Sequence, residues 1–245
     1  MQWPAGCPRV ADMQTSFLDE PATDLAAALD AEGHAVLPGL LAPAQCAALA
    51  ALYPQDALYR STVVMARHGF GRGEYRYFAY PLPPLVAQLR QALYPQLVPI
   101  ANRWNQWLGK PLCYPATLDA FLARCHRAGQ TRPTPLILQY GAGDYNCLHQ
   151  DLYGEHVFPL QVAILLSRPG VDFTGGEFVM TESRPGEQRA HVVPLAQGDG
   201  VVFAVHERPA AGPTGRVRRL AMRHGVSRLL AGRRHTVGLI FHDAT

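Results

Sequence analysis

The sequence predicts an α+β fold: a double-stranded β-helix, or jelly roll, buttressed by N-terminal helices. Three observations carry that expectation. Helical periodicity fills the first part of the chain, short apolar runs separated by glycine-bearing turns fill the rest, and no polar linker divides the two. A chain of 245 residues can bury one full core, so the expected organisation is a single domain over 1–245, with 1–130 mainly helical support and 131–245 the jelly roll itself.

In chain order, DLAAALDAEG, stopped by Gly33, and AQCAALAAL, opened by Pro43 at the first-turn position, predict two early helices. Between Pro84 and Gly109, Leu85, Leu89, Leu93 and Leu97 recur on one face ahead of Ile100, Trp104 and Leu108. Pro95 and Pro99 interrupt that face and predict two consecutive helices rather than one. TLDAFLARCHRAG, between Pro115 and Gly129, predicts a further helix. From Pro135 onward LILQY, FPLQVAILLS, EFVMT, HVVPL, GVVFAV, RRLAMRHGVSRLL and HTVGLIF read as strands, punctuated by GAGD, RPG, TGG, QGDG and PTG. That many short strands suit a double-sheet jelly roll.

Composition narrows the function. Apolar residues make up 48% and charged residues 17%, which is the balance of a globular protein and excludes disorder as the main content. The opening MQWPAGCPRVADM lacks the order of a secretory signal, and runs such as VAILL are too short to span a bilayer, so the expectation is a cytoplasmic protein with no membrane partner. Five cysteines, at 7, 46, 113, 125 and 147, are odd in number and scattered, which argues against a disulfide framework and a cysteine zinc site. The net charge of +3 says little alone. Its distribution says more: Arg208, Arg216, Arg218, Arg219, Arg223, Arg228, Arg233 and Arg234 follow one another with no acid among them. Two readings stay open, solvated strand positions or a surface that faces a polyanion.

The chemistry is concentrated in LQYGAGDYNCLHQDLYGE. If His149 and Asp151 lie on a strand they project from the same face, bringing an imidazole and a carboxylate to one point. Two histidines and one carboxylate make the facial triad of non-haem iron(II), which leaves the remaining metal positions open for a chelating acid and oxygen. A bare HxD is common by chance, so the reading needs a distal histidine, and the candidates are His191, His206, His224, His235 and His242. A 2-keto acid bound to the metal needs a cation for its far carboxylate, and an arginine fork supplies two charge-assisted bonds. Arg234 stands ten residues after His224, across an expected glycine turn at Gly232. On that strand Arg234, Thr236 and Gly238 share one face, and Arg233 and His235 share the other. The set is therefore His149, Asp151 and His224 for the metal and Arg234 for the co-substrate.

HxD, a distal histidine and an arginine ten residues beyond it resemble the signature of the 2-oxoglutarate/iron(II) dioxygenase superfamily, with the spacing of its prolyl-hydroxylase branch. YGAGDYNCLHQD also resembles the AlkB-type demethylases, in which a tyrosine precedes the first iron-binding histidine by nine residues, as Tyr140 precedes His149. Leu138 stands where those proteins usually carry an asparagine. CHRAGQTRPTPL, FTGGEF, QGDGVVF, MRHGVS and GLIFHDA are similar to a bacterial group of the superfamily assigned to nucleic-acid oxygenation. The resemblance implies a jelly-roll enzyme that uses Fe(II), O2 and 2-oxoglutarate, releases succinate and CO2, and anchors the co-substrate carboxylate with Arg234 and Tyr140. It further implies a modified nucleobase as substrate and damaged or single-stranded nucleic acid as partner, in the service of DNA repair.

Other readings remain beside it. The ten-residue spacing also suits a hydroxylase of a protein side chain or a small molecule. A non-catalytic metal-binding jelly-roll sensor has no need of a keto-acid anchor, and a zinc hydrolase would leave Arg234 unexplained. Tyr145, Asn146 and Gln161 are candidates to orient the ligands, or else plain barrel residues. RHGFGRGEYRYF, residues 67–78, reads either as a lid that stacks on a planar substrate through Tyr75, Tyr77 or Phe78, or as an ordinary loop. His206, Glu207 and Arg208 mark a strand end, and Gly175 and Gly176 read as turn residues.

Overall fold

Two antiparallel sheets enclose a cavity, and the helices pack against the larger sheet on the side away from it. The computed structural model describes residues 22–184, 186–212 and 216–245. The opening MQWPAGCPRVADM with Cys7, and the expected PTG turn, lie outside the described residues. The helices are α1 (Ala22–Glu32), α2 (Pro43–Ala50), α3 (Pro84–Trp107) and α4 (Leu118–Arg127). The strands are β1 (His34–Leu37), β2 (Tyr59–Val64), β3 (Gly71–Arg72), β4 (Glu74–Phe78), β5 (Leu136–Gly141), β6 (Tyr145–His149), β7 (Leu160–Leu165), β8 (Phe173–Gly175), β9 (Phe178–Arg184), β10 (Glu187–Val193), β11 (Gly200–Ala204), β12 (Glu207–Ala211), β13 (Val217–Val226) and β14 (Leu229–Leu239).

The larger sheet has the order β1-β11-β7-β14-β5-β4-β2, with β8 beside β14; the smaller has β10-β9-β13-β6-β3, with β12 beside β13. In the larger sheet both faces are buried, which is why its strands read as apolar runs rather than as alternation. Ile137, Ile164, Val237 and Leu239 join the helical core of Leu49, Leu89, Leu93, Leu97, Trp104 and Phe121. Their sequence neighbours Leu138, Ala163, Thr236 and Gly238 line the cavity instead.

Four features differ from the sequence expectation. First, α3 is one helix through Pro95 and Pro99. Each proline removes a ladder hydrogen bond at roughly 3 kcal/mol, but Leu89, Leu93, Leu97, Ile100 and Trp104 bury one continuous face that a break would disrupt. Second, the part expected to be mainly helical also contributes strands: β1 closes one edge of the larger sheet, β4 and β2 extend the other, and β3 joins the smaller sheet. Third, RRLAMRHGVSRLL is two strands. The chain turns at Ser227 and Arg228 and passes from the smaller sheet into the larger. Fourth, Gly232 is not that turn. It lies inside β14 with φ +81°, where a Cβ would strike the carbonyl oxygen of Asp172 beside β8.

The C-terminal segment is held by a buried polar cluster. Arg90 of α3 pairs with Asp243 at 2.9 Å and donates to the Ile240 carbonyl at 2.9 Å, while His126 of α4 lies 2.8 Å from the same carboxylate. Among the described residues Cys46, Cys113, Cys125 and Cys147 are free. No helix among the described residues is long and apolar enough to cross a membrane.

Candidate active site

His149 ends β6 and lies directly opposite His224 on β13, so strand register brings the two imidazoles together with ring centroids 4.2 Å apart. Asp151 arrives differently. It lies two residues beyond β6, and the chain leaving the sheet, rather than the expected strand parity, turns its carboxylate towards the pair. Its two oxygens stand 3.5 Å from His149 Nε2 and 3.4 Å from His224 Nε2, and the ligating atoms of all three residues fall within 4.8 Å of one another. The other histidines go elsewhere. His191 faces Glu32, His206 faces Glu207, His235 meets Gln139 on the far side of the sheet, and His242 accepts from the Phe158 amide.

Two imidazole nitrogens and a carboxylate on one wall of a cavity are a donor set for a divalent first-row metal such as iron(II). His149 Nδ1 donates to the Cys147 carbonyl at 2.8 Å, which leaves Nε2 as the free donor atom to a metal. Burial by itself would raise the Asp151 carboxyl, but the hydrogen bonds from His149 and His224 outweigh it and hold the group well below the usual carboxylate range. Burial lowers His224, so this imidazole favours the neutral form that ligates a metal. Phe203 and Phe178 flank the His224 ring at 4.5 and 6.1 Å and fix its plane.

Sequence reasoning missed Tyr153, although the DLY spacing was there to suggest it. Its hydroxyl donates to Asp151 Oδ1 at 2.7 Å, and burial, then the neighbouring carboxylate, push the phenol up, so it remains a donor. Losing such an outer partner costs ten- to a hundredfold in metal affinity. Tyr153→Phe is therefore expected to weaken iron(II) binding by about tenfold or more, read by anaerobic titration, with an unchanged circular dichroism spectrum. Unaltered affinity would remove Tyr153 from the site.

Farther along the larger sheet, Arg234 of β14 is the register partner of Tyr140 on β5, and both are buried. Arg234 donates to Thr236 Oγ1 at 2.6 Å, yet its Nε and the Tyr140 hydroxyl have no partner. No carboxylate among the described residues comes within ion-pair distance of it. Burial draws Arg234 down to about 10, which still leaves it charged at neutral pH, and burial raises Tyr140, which keeps it a protonated donor. Gly176, expected as a turn residue only, lies with φ +68° where a Cβ would press on Leu229 and on Arg234 Cδ. The cavity between the triad and Arg234 measures about 220 Å³. Its remaining walls are mainly apolar and aromatic, with Phe70, Tyr75, Leu136, Leu138 and Ile240 among them.

The stretch 67–78 is not a free lid. It holds β3 and β4, and β4 is paired on both sides, with β2 and β5. Phe78 is fully buried in the core and Tyr77 is buried, whereas Tyr75 lines the cavity and Phe70 stands exposed at its edge, stacked on His68. The arginine run also divides. Arg208 is buried and paired with Glu182, and Arg219 pairs with Glu207 at 3.1 Å. Arg216, Arg218, Arg223 and Arg228 are exposed.

Residues 73–244 match the model of a family called Oxygenase-NA, described as an oxygenase catalysing oxidative methylation of damaged DNA. A Mycobacterium tuberculosis (strain H37Rv) protein, named uncharacterized protein Rv2227, is 51% identical over 168 residues, 68% of this chain and 72% of its own. Among solved structures, a Pseudomonas putida prolyl-4-hydroxylase is similar with a TM-score of 0.54 and 16% identity, over 92% of this chain and 100% of its own. A Burkholderia pseudomallei oxidoreductase of the 2OG-Fe(II) oxygenase family gives 0.54 and 18%, over 93% and 94%. At those identities the two structures show the shared fold.

Proposed function

Because the chain belongs to the Oxygenase-NA family of 2-oxoglutarate- and iron(II)-dependent oxygenases, with His149, Asp151 and His224 as its facial triad, we propose that it oxidatively demethylates a modified nucleobase. The observation that carries the co-substrate assignment is the buried, charged Arg234, which lines the triad's cavity and has no ion-pair partner among the described residues. A buried unpaired cation is costly and calls for an anion. The far carboxylate of 2-oxoglutarate supplies one, accepting from Arg234 and from the otherwise unpartnered Tyr140 hydroxyl.

When bound, iron(II) and 2-oxoglutarate supply the oxidising chemistry: one oxygen atom of O2 enters a substrate C–H bond and the other leaves in succinate, with carbon dioxide released. The protein's part is placement. The triad presents three donors from one wall, Tyr153 steadies Asp151, Arg234 and Tyr140 orient the keto acid, and the apolar walls exclude water. On an N-methyl group the inserted hydroxyl gives a hydroxymethyl amine. Its N–C bond then breaks, the hydroxyl proton passes to the nitrogen, and formaldehyde leaves.

A cavity of about 220 Å³ takes the co-substrate and one inserted group, not a length of duplex. A base must therefore be turned out of its stack or come from a single strand. Backbone attraction is assigned to the exposed Arg216, Arg218, Arg223 and Arg228, with stacking at the entrance from Phe70 and Tyr75 in place of the buried Tyr77 and Phe78. A side-chain hydroxylase is the second reading, favoured by the ten residues between His224 and Arg234.

The deciding measurement compares methylated single-stranded DNA and RNA with peptides and free amino acids. Formaldehyde from an oligonucleotide, and binding that weakens steeply between low and physiological salt, are expected. Salt-insensitive binding, no formaldehyde, and stoichiometric hydroxylation of a peptide would select the second reading.

A further inference from the structure

The cavity contains one buried hydrogen-bonding group that neither metal nor co-substrate accounts for. Gln161 lies on β7, two residues from the Ala163–Gly238 pair in the direction away from Arg234. Its own register partner is Phe203, the ring that packs on His224, so Gln161 belongs to the metal end of the cavity. The residue is 4% exposed, lines the cavity, and has an amide Nε2 without a hydrogen-bond partner. Three other polar residues on the cavity wall are committed: Gln150 donates to the His206 and Met222 carbonyls, Tyr153 donates to Asp151, and Thr236 accepts from Arg234. A buried amide donor of this kind calls for an acceptor on whatever enters.

The charge inventory adds a second constraint. Among the described residues Asp151 is the only carboxylate on the cavity wall, and it is spent on the triad. A cationic group entering here meets apolar side chains and no free acid, so an uncharged group is favoured. Resting on the nucleobase reading above, we propose that Gln161 is the substrate-reading donor of this site. Its ligand is the carbonyl oxygen of a neutral methylated base, so that 1-methylguanine and 3-methylthymine are processed in preference to cationic 1-methyladenine and 3-methylcytosine.

Five single-stranded oligonucleotides separate charge from acceptor. 1-Methylguanine and 3-methylthymine are neutral with a carbonyl, 3-methylcytosine is cationic with one, 1-methyladenine is cationic without, and N6-methyladenine is neutral without. The expected order of formaldehyde release places the first two at least about tenfold above the others, since a site built to bond one group rejects analogues lacking it. Gln161→Met, similar in shape but without the amide, is expected to lose at least about tenfold on those two and to erase the preference. Its 2-oxoglutarate requirement should stay unchanged. Anaerobic anisotropy titrations of the same oligonucleotides should show the same loss.

A wild-type preference for the cationic bases overturns the proposal without any variant. So does a Gln161→Met protein that keeps the wild-type order, or one that mainly needs more 2-oxoglutarate, which would place the amide on the co-substrate. Formaldehyde from none of the five would bring down the nucleobase reading itself, and this proposal with it.

Discussion

His149→Ala, Asp151→Ala and His224→Ala are each expected to abolish turnover and to weaken iron(II) binding by more than about a hundredfold, because even outer partners of metal ligands cost up to that much. Among the described residues these three are the group whose ligating atoms meet within 4.8 Å, and they come from the end of β6, the loop beyond it, and the last residues of β13 before the turn. His206→Ala and His235→Ala are the controls. His206 is turned to Glu207, and His235 meets Gln139 on the opposite side of the larger sheet, so both variants should keep near-normal metal affinity. Anaerobic calorimetric titration with iron(II) reads all five. Retained iron in His224→Ala with loss in His206→Ala would show the third ligand to be wrongly assigned.

Arg234→Ala should raise the 2-oxoglutarate requirement while leaving iron affinity close to normal. A buried charge-assisted pair that loses one partner costs on the order of 2–5 kcal/mol, hence well over tenfold in affinity. Arg233→Ala supplies the comparison. Its side chain is exposed on the other face of β14, and its substitution should leave the co-substrate dependence untouched. An Arg234→Ala enzyme with unaltered 2-oxoglutarate dependence would end the assignment of this residue as anchor.

What could be read directly from sequence was what chemistry makes irreplaceable. His149, Asp151 and His224 stand out because few side chains can ligate a metal, and the alternation along β14 put Arg234, Thr236 and Gly238 on one face. The jelly roll was legible from the apolar runs of strands buried on both faces. Short strands were not. β3 has two residues and β4 five, and glycine and arginine in RHGFGRGEYRYF imitate a loop until β5 supplies the partner for β4. Local rules also misjudged α3 and Gly232, because core burial overrides two prolines and the close approach of Asp172 calls for a glycine within a strand. Tyr153 was signalled only by its place two residues after Asp151. Its role depends on where the chain goes after leaving β6.

The passage of the chain from β13 to β14 at Ser227 and Arg228 divides the site between the two sheets. His224 belongs to one sheet and Arg234 to the other, so a metal and a keto acid held between them would act as a removable crosslink between the layers. Ligands that bind only the folded chain add RT ln(1 + [L]/Kd) to its stability. About a hundredfold excess over the dissociation constant contributes roughly 2.7 kcal/mol, a large fraction of the margin by which a domain stays folded. Iron and keto acid bound there would add to the brace that Phe203 already makes between the sheets by packing on Phe178 and His224, and thermal melts with and without the two ligands would read the gain.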